Sequence, residues 1–351
     1  MRIKIGIIGF SKTLENLVSH IFENIDYIKF KHQFSIHITF YYNGINHMIN
    51  EKGLKPDEVL EAIRGSLTTE EDDITFVREI NNLPSRIKES KARIVIVSLP
   101  QLLKKQNYKL LKKLLENKID IITTNKNEVV ENIDELEDIA EYNNLFFSYI
   151  PALNLITPIG DLLENISSSF EIHGFEGIFN RFTNIIISEM IKNKSSVKEE
   201  VEFLKEIFPE HKELISEDLN GYDSACTAFL LARKYMTGNI KFEDIKIMGI
   251  ENLNYEKIKK VVESGNSVKL LGKASYEDEI LKIRVTPSII SKEHNFYNIN
   301  DMSEAINIFS DFPTNTFFVA KGSDNIERDV ALSIYRELIK YSIYTLKKFE
   351  H

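Results

Sequence analysis

The feature that most constrains this chain is an alternation of short β-branched runs with apolar residues at helical spacing. Ile3 to Phe10 is such a run, ending just past Gly9, and Leu14, Leu17, Val18, Ile21 and Phe22 then share one helical face. Phe34 to Tyr42 is a second β-rich stretch, closed by Asn43-Gly44, and Lys55-Pro56-Asp57-Glu58 has the proline and acidic residues of a helix start. The run Arg93 to Pro100, RIVIVSLP, is short and bounded by charge and proline, which suits a strand buried on both faces. A helix over Tyr108 to Asn117 and a strand over Ile119 to Thr123 complete a βαβ alternation. That order predicts an α/β fold: a Rossmann-like parallel sheet with right-handed crossovers over residues 1–130.

After Pro151 the texture changes. A helix is expected near Leu155 to Leu163, a β-rich stretch from Phe170 to Phe179, and helices over Ile185 to Met190, Ser196 to Ile207 and Tyr222 to Tyr235. Ser267 to Ser275 and Ile280 to Val285 suggest an antiparallel sheet, so residues 131–326 are expected to form a second α/β domain. In the tail, Ala331, Ile334, Leu338 and Tyr341 recur at spacings of three and four, so residues 327–351 are expected to form a helix that packs on the first domain.

Composition excludes several classes of function. The chain has 351 residues, 44 Lys+Arg against 53 Asp+Glu and a formal net charge of -9, which leaves no basic excess to neutralise nucleic-acid phosphates. Apolar runs such as Ile185-Ile186-Ile187 fall far short of the roughly 18 residues a membrane span needs. The N-terminus enters a β pattern at once, without a signal-like segment, which gives an expectation of a cytoplasmic protein. The single cysteine, Cys226, allows neither an internal disulfide nor a multi-cysteine zinc site. None of the 8 histidines stands in an H-x-x-x-H pair, so no metal site is expected.

Chemistry should sit at strand ends. The first βα turn reads Gly9-Phe10-Ser11-Lys12-Thr13-Leu14, and of the G-x-G-x-x-G fingerprint it keeps only Gly9. It reads either as a plain strand–helix turn or as a degraded phosphate loop. Tyr41-Tyr42-Asn43 lacks an acidic residue to hold a ribose 2′-OH, which favours NADP over NAD if a dinucleotide binds, although no arginine stands there for the 2′-phosphate. Thr123-Thr124-Asn125-Lys126 ends a central strand, where Lys126 is either a substrate lysine or a surface residue.

Three later segments join these: Glu176-Gly177-Ile178-Phe179-Asn180 with Thr183-Asn184, then Asp218-Leu219-Asn220-Gly221-Tyr222-Asp223-Ser224-Ala225, then Val268-Lys269-Leu270-Leu271. In this order and spacing, with TTNK, they resemble the homoserine dehydrogenase family over nearly the whole chain. The resemblance implies reduction of aspartate semialdehyde to homoserine with NADP or NAD, a small amino-acid substrate, and a homodimer whose second domain carries dimerisation and catalysis. It assigns Lys126 and Asp223 to catalysis and Asn180, Thr183 and Asp218 to the substrate. It assigns Gly9, Phe10, Ser11, Lys12, Ser98, Leu99, Asn125 and Gly322 to the cofactor.

Five places depart from the family pattern. Thr227 stands where members carry a second lysine, four residues after the matching aspartate. The upstream glutamate has Lys212 at its ungapped position, with Glu210 and Glu213 nearby. Ile150 to Pro158 lacks the glutamate and glycines of a turn associated with a monovalent cation. Arg181-Phe182 replaces small residues, and Gly322 alone survives of a glycine-rich loop. Two expectations therefore stand: a divergent homoserine dehydrogenase, or a catalytically degenerate paralogue that binds a ligand or a partner.

Overall fold

The computed structural model describes residues 2–44, 46–66, 80–99, 104–153, 155, 159–311, 315–322 and 325–349. The chain forms two compact units, Met1–Asn154 with Asn325–His351, and Leu155–Asp324.

The first unit is a doubly wound sheet. In chain order it contains β1 (Arg2–Gly9), α1 (Lys12–Glu23), α2 (Ile25–His32), β2 (Ser35–Tyr42), β3 (His47–Ile49), α3 (Pro56–Ser66), α4 (Leu83–Ser90), β4 (Ile94–Ser98), α5 (Lys104–Glu116), β5 (Asp120–Thr123), α6 (Lys126–Tyr142) and β6 (Phe147–Ser148). The strand order is β3-β2-β1-β4-β5-β6, parallel except for the antiparallel edge strand β3. Ile3, Ile5 and Ile7 of β1 enter one core with Leu14, Leu17, Val18 and Ile21 of α1. Each buried aliphatic side chain there contributes about 1.5–3 kcal/mol relative to exposure.

This unit runs past residue 130, the limit expected from the sequence, to Asn154. Val129, Ile133, Leu136 and Ala140 are buried at helical spacing on α6, and β6 then pairs in parallel with β5 through Ile121–Phe147 and Ile122–Ser148. The tail helix, here α13 (Ile326–Phe349), adds Val330, Ala331, Ile334, Leu338 and Tyr341 to the same core. Two polar bonds fix it: Ser148 Oγ donates to Glu337 Oε2 at 2.6 Å and Tyr341 OH to Asp120 Oδ2 at 2.8 Å.

The second unit contains α7 (Ile159–Ser167), β7 (Ile172–Ile178), α8 (Arg181–Asn193), α9 (Val197–Ile207), α10 (Lys212–Glu217), α11 (Tyr222–Tyr235), β8 (Lys246–Ile247), α12 (Tyr255–Glu263), β9 (Ser267–Glu277), β10 (Ile280–Ile290), β11 (Ser303–Ser310) and β12 (Thr316–Lys321). Its sheet order is β12-β11-β7-β9-β10-β8, antiparallel apart from the β10–β8 pair. Gly177 and Gly272 face each other across β7 and β9, and the Phe179 ring lies over them. A Cβ on Gly177 would come within 2.4 Å of that ring and one on Gly272 within 2.7 Å, so the glycine pair is what admits it. Seated there, Phe179 fixes the point at which the chain leaves β7 and Asn180 starts α8.

Candidate functional site

In the first unit strand order reverses between β1 and β4, and ligands of open parallel sheets bind outside the carboxyl ends of the strands at such a switch. Gly9 ends β1 opposite Ser98, which ends β4. Gly9 has φ +124°, and a Cβ there would lie 1.9 Å from the Ser98 carbonyl oxygen. The fold itself therefore requires this glycine.

The other fingerprint positions have structural duties too. Ser11, in the second glycine position, is the N-cap of α1: its Oγ accepts from the Leu14 N–H at 3.2 Å. Leu14, in the third, is fully buried in the core. The N–H groups of Lys12 and Thr13 remain at the helix N-terminus without intrahelical acceptors, where the helix dipole favours an anion. Phe10 and Ser11 are half-buried and Lys12 is exposed. The fold also brings Arg64, from α3, to the first turn of α1, where its Nε donates to Glu15 Oε1 at 2.6 Å. Sequence reading missed this arginine because 49 residues separate the partners.

TTNK binds the end of β5 to the end of β4. Asn125 Nδ2 donates to the Leu99 carbonyl at 3.1 Å, the Leu99 N–H donates to Asn125 Oδ1 at 3.3 Å, and Thr124 Oγ1 donates to Ser98 Oγ at 2.9 Å. Ser98, Leu99 and Asn125 are thus brought together. Lys126 opens α6 and is only 6% exposed, and its ammonium donates to the Leu153 carbonyl at 3.1 Å. It is not a surface lysine; the fold spends burial on it.

The second unit brings Asn180, Thr183 and Asp223 together. Asn180 caps α8, with Oδ1 accepting from the Thr183 N–H at 2.9 Å, while Thr183 Oγ1 donates to the Asn180 carbonyl at 3.1 Å. Asn180 Nδ2 also reaches Asp223 Oδ2 at 3.4 Å. Asp223 lies in the first turn of α11, where the dipole favours a carboxylate. Asp218 starts a short 3-10 turn, Asp218–Asn220, but its side chain lies outside the described part, as do those of Glu210 and Glu213. Gly322 follows β12, while residues 323–324, Asn154 and residues 156–158 lie outside the described residues.

The bulky departures turn inward. Arg181 is 4% exposed, with Nε 3.5 Å from Glu304 Oε1, and Phe182 packs edge-on against Phe208 and beside the His211 ring. Thr227, one helical turn beyond Asp223, is fully buried.

Lys269, noted in the sequence only as part of a motif, proves to be a buried hub. Its Nζ donates to Asn184 Oδ1 at 2.9 Å, Ser188 Oγ at 3.1 Å and Asn300 Oδ1 at 3.0 Å, and to the Ile299 carbonyl. Burial pushes this ammonium down to about 7, with Asp301 opposing the shift. Among the described residues no cluster of His, Cys, Asp and Glu is placed to hold a metal ion, and no helix is long and apolar enough to cross a membrane.

A family model described as homoserine dehydrogenase matches residues 158–339, more than half of the chain. Homoserine dehydrogenase of Helicobacter pylori is 29% identical over 244 residues, which are 69% of this chain and 56% of that protein. The Bacillus subtilis protein is 26% identical over 226 residues, 64% of this chain and 51% of its own length. The chain thus spans about half the length of these relatives. Among solved structures, a putative homoserine dehydrogenase of Archaeoglobus fulgidus superposes with a TM-score of 0.76 at 20% identity, covering 96% of this chain and 99% of that one. A hyperthermophilic archaeal homoserine dehydrogenase mutant, solved in complex with NADPH, gives 0.73 at 19% identity and covers 97% and 98%. At such identities the structural likeness is one of fold.

Proposed function

We propose, because this chain belongs to the homoserine dehydrogenase family, that it interconverts aspartate semialdehyde and homoserine with a nicotinamide cofactor. The observation that carries the reading is Lys126: an ammonium almost wholly removed from solvent, donating to the Leu153 carbonyl, at the carboxyl edge of the sheet beside the switch-point strands. Reduction of an aldehyde needs a proton on the oxygen as hydride reaches the carbon. Lys126 is the acid we assign to that step, and the base in the reverse direction. The Leu153 carbonyl fixes the position of its Nζ. Asp223 is assigned to the substrate amino group, with Asn180 as the residue that positions it, since the Asn180 amide already reaches one carboxylate oxygen. Thr183 and Asp218 complete the proposed substrate contacts.

The residues of the first unit fit the phosphates of a dinucleotide. The two open N–H groups at the start of α1, the Lys12 side chain and the backbone of Gly9, Phe10 and Ser11 would receive them. Ser98, Leu99, Asn125 and Gly322 are the further cofactor contacts of this proposal. Such a group supplies the hydride when bound. At the end of β2 the Tyr42 hydroxyl donates to the Gly44 carbonyl, and Tyr41-Tyr42-Asn43 itself has no carboxylate to offer a ribose, which favours the 2′-phosphorylated form. The reading carries with it a cytoplasmic homodimer. The test is consumption of NADPH by the purified protein on addition of aspartate semialdehyde, compared with NADH. Turnover with NADPH preferred is expected. A protein that binds neither cofactor at millimolar concentration would overturn the proposal.

A further inference from the structure

At the opposite end of the first sheet from Gly9 lies a cavity of about 430 Å³ that the dehydrogenase reading does not use. That volume is in the range of small-molecule sites. Four cations line it: Arg2 and Lys4 from the start of β1, Arg93 directly before β4, and Lys91 at the end of α4. Its apolar wall comes from Ile3 and from Tyr341 of α13. In a chain with a net charge of -9, this concentration of positive charge runs against the overall balance.

Asp120 and Glu51 stand beside the cavity and offset part of that charge, two carboxylates against four cations. Asp120 is engaged at both oxygens, accepting from the Phe146 N–H at 2.8 Å and from Tyr341 OH at 2.8 Å. Glu51 pairs with Lys91 at 2.7 Å, but both side chains are about half exposed or more, so solvent screens the pair and an incoming anion can displace the glutamate. The neighbouring groups register the field. Burial, then Arg2 and Lys4, hold the His37 imidazole below its usual range despite an opposing backbone hydrogen bond. Burial and Asp120 hold the Tyr341 phenol protonated, so the wall stays neutral.

We propose that this cavity binds a small molecule carrying a phosphate group, or an equivalent dianion, on a compact apolar body. Two arginines offer planar donor forks suited to phosphate oxygens, and two lysines add point charges. Tyr341 and Ile3 give the body of the ligand a surface to lie on. The site is independent of the dehydrogenase assignment, because none of its residues belongs to the strand ends where the cofactor and substrate are placed.

The experiment is calorimetric titration of the full chain with phenyl phosphate and, in parallel, with inorganic phosphate at constant ionic strength. With NADP present to occupy the start of α1, phenyl phosphate should bind with one site per chain and more tightly than inorganic phosphate. Arg93→Ala should weaken it about tenfold or more, since a charge-assisted hydrogen bond is lost. Lys4→Gln serves the same purpose if Arg93→Ala fails to fold, as judged by urea unfolding. Glu51→Gln should tighten binding by removing the competing carboxylate, whereas Lys12→Ala, at the other end of the sheet, should leave it unchanged. Equal affinity for the two probes would restrict the site to free phosphate and contradict the apolar-body proposal. Absence of binding at millimolar phenyl phosphate, indifference to both cation variants, or loss of binding in Lys12→Ala would overturn the site.

Discussion

Gly9 shows how one residue can be misread when only its motif is considered. In the sequence it was either the survivor of a phosphate loop or a plain turn. In the structure its backbone angle and the nearby Ser98 carbonyl require glycine whether or not a cofactor binds. Gly9→Ala should therefore cost about 3 kcal/mol or more, from a positive φ and a forced backbone shift. The control is Gly65→Ala on α3, where a Cβ would meet nothing within 4 Å and helix propensity should leave stability equal or slightly raised. Urea midpoints of the two variants check the contrast; equal losses would contradict it. Lys269 gives a second residue-scale prediction. Its pKa is about 7 in the folded chain against the ordinary lysine value of 10.5, so the unfolded chain binds more protons between those values and stability rises with pH across that window. Below about pH 7 the full penalty of burying the cation is present. Lys269→Met removes this linkage and strands the four oxygen acceptors, so the stability gap between wild type and variant should be wider near pH 10 than near pH 6. A gap that is flat or narrows on alkalinisation contradicts the burial account.

At the scale of elements, legibility followed the source of burial. β1, β4 and α1 were readable because their own apolar residues make the core. β11 was not, because SEAINIFS buries Glu304 and Asn307, whose partners Arg181 and Glu176 lie far away in sequence. The edge strand β12 alternates half-buried or buried positions with exposed ones, but its apolar residues Phe317, Phe318, Val319 and Ala320 fall on both faces, so its sequence carries no period-two pattern. The same long-range pairing accounts for Arg181 itself: it stands where the family pattern has a small residue and forms one half of a buried ion pair with Glu304. On α11, Thr227 follows Asp223 by one turn, and helical side chains lean toward the helix N-terminus, so a lysine at 227 would extend toward the Asp223 carboxylate. Thr227→Lys should raise homoserine oxidation, by up to about 10²–10⁴-fold if a second general acid is what the site lacks. Because Thr227 is fully buried, the same variant should lose about 1–3 kcal/mol of stability, measured by urea unfolding. No rise in turnover by a folded variant that binds NADPH would show that the second lysine is not what limits the reaction.

For the molecule as a whole, the order of strands and helices pointed to a Rossmann-like sheet followed by a second α/β unit, and both are present. The first unit extends to Asn154 rather than 130, and the apolar spacing on α6 that causes this was visible in the sequence at Val129, Ile133, Leu136 and Ala140. Of the residues proposed for the site, read as residue types at strand and helix ends, Ser98, Leu99 and Asn125 are brought together by the fold, and so are Asn180, Thr183 and Asp223. What sequence could not give was the burial of Lys126, which depends on where the chain around Leu153 returns to the sheet. The central claim is that this buried lysine moves the proton in a nicotinamide-dependent reduction. It is tested most directly by measuring homoserine oxidation at alkaline pH for the wild type and for Lys126→Ala at matched NADP occupancy. The account predicts turnover by the wild type and a loss of about 10²–10⁴-fold in kcat in the variant, with cofactor affinity little changed. Equal kcat in the two proteins would contradict it.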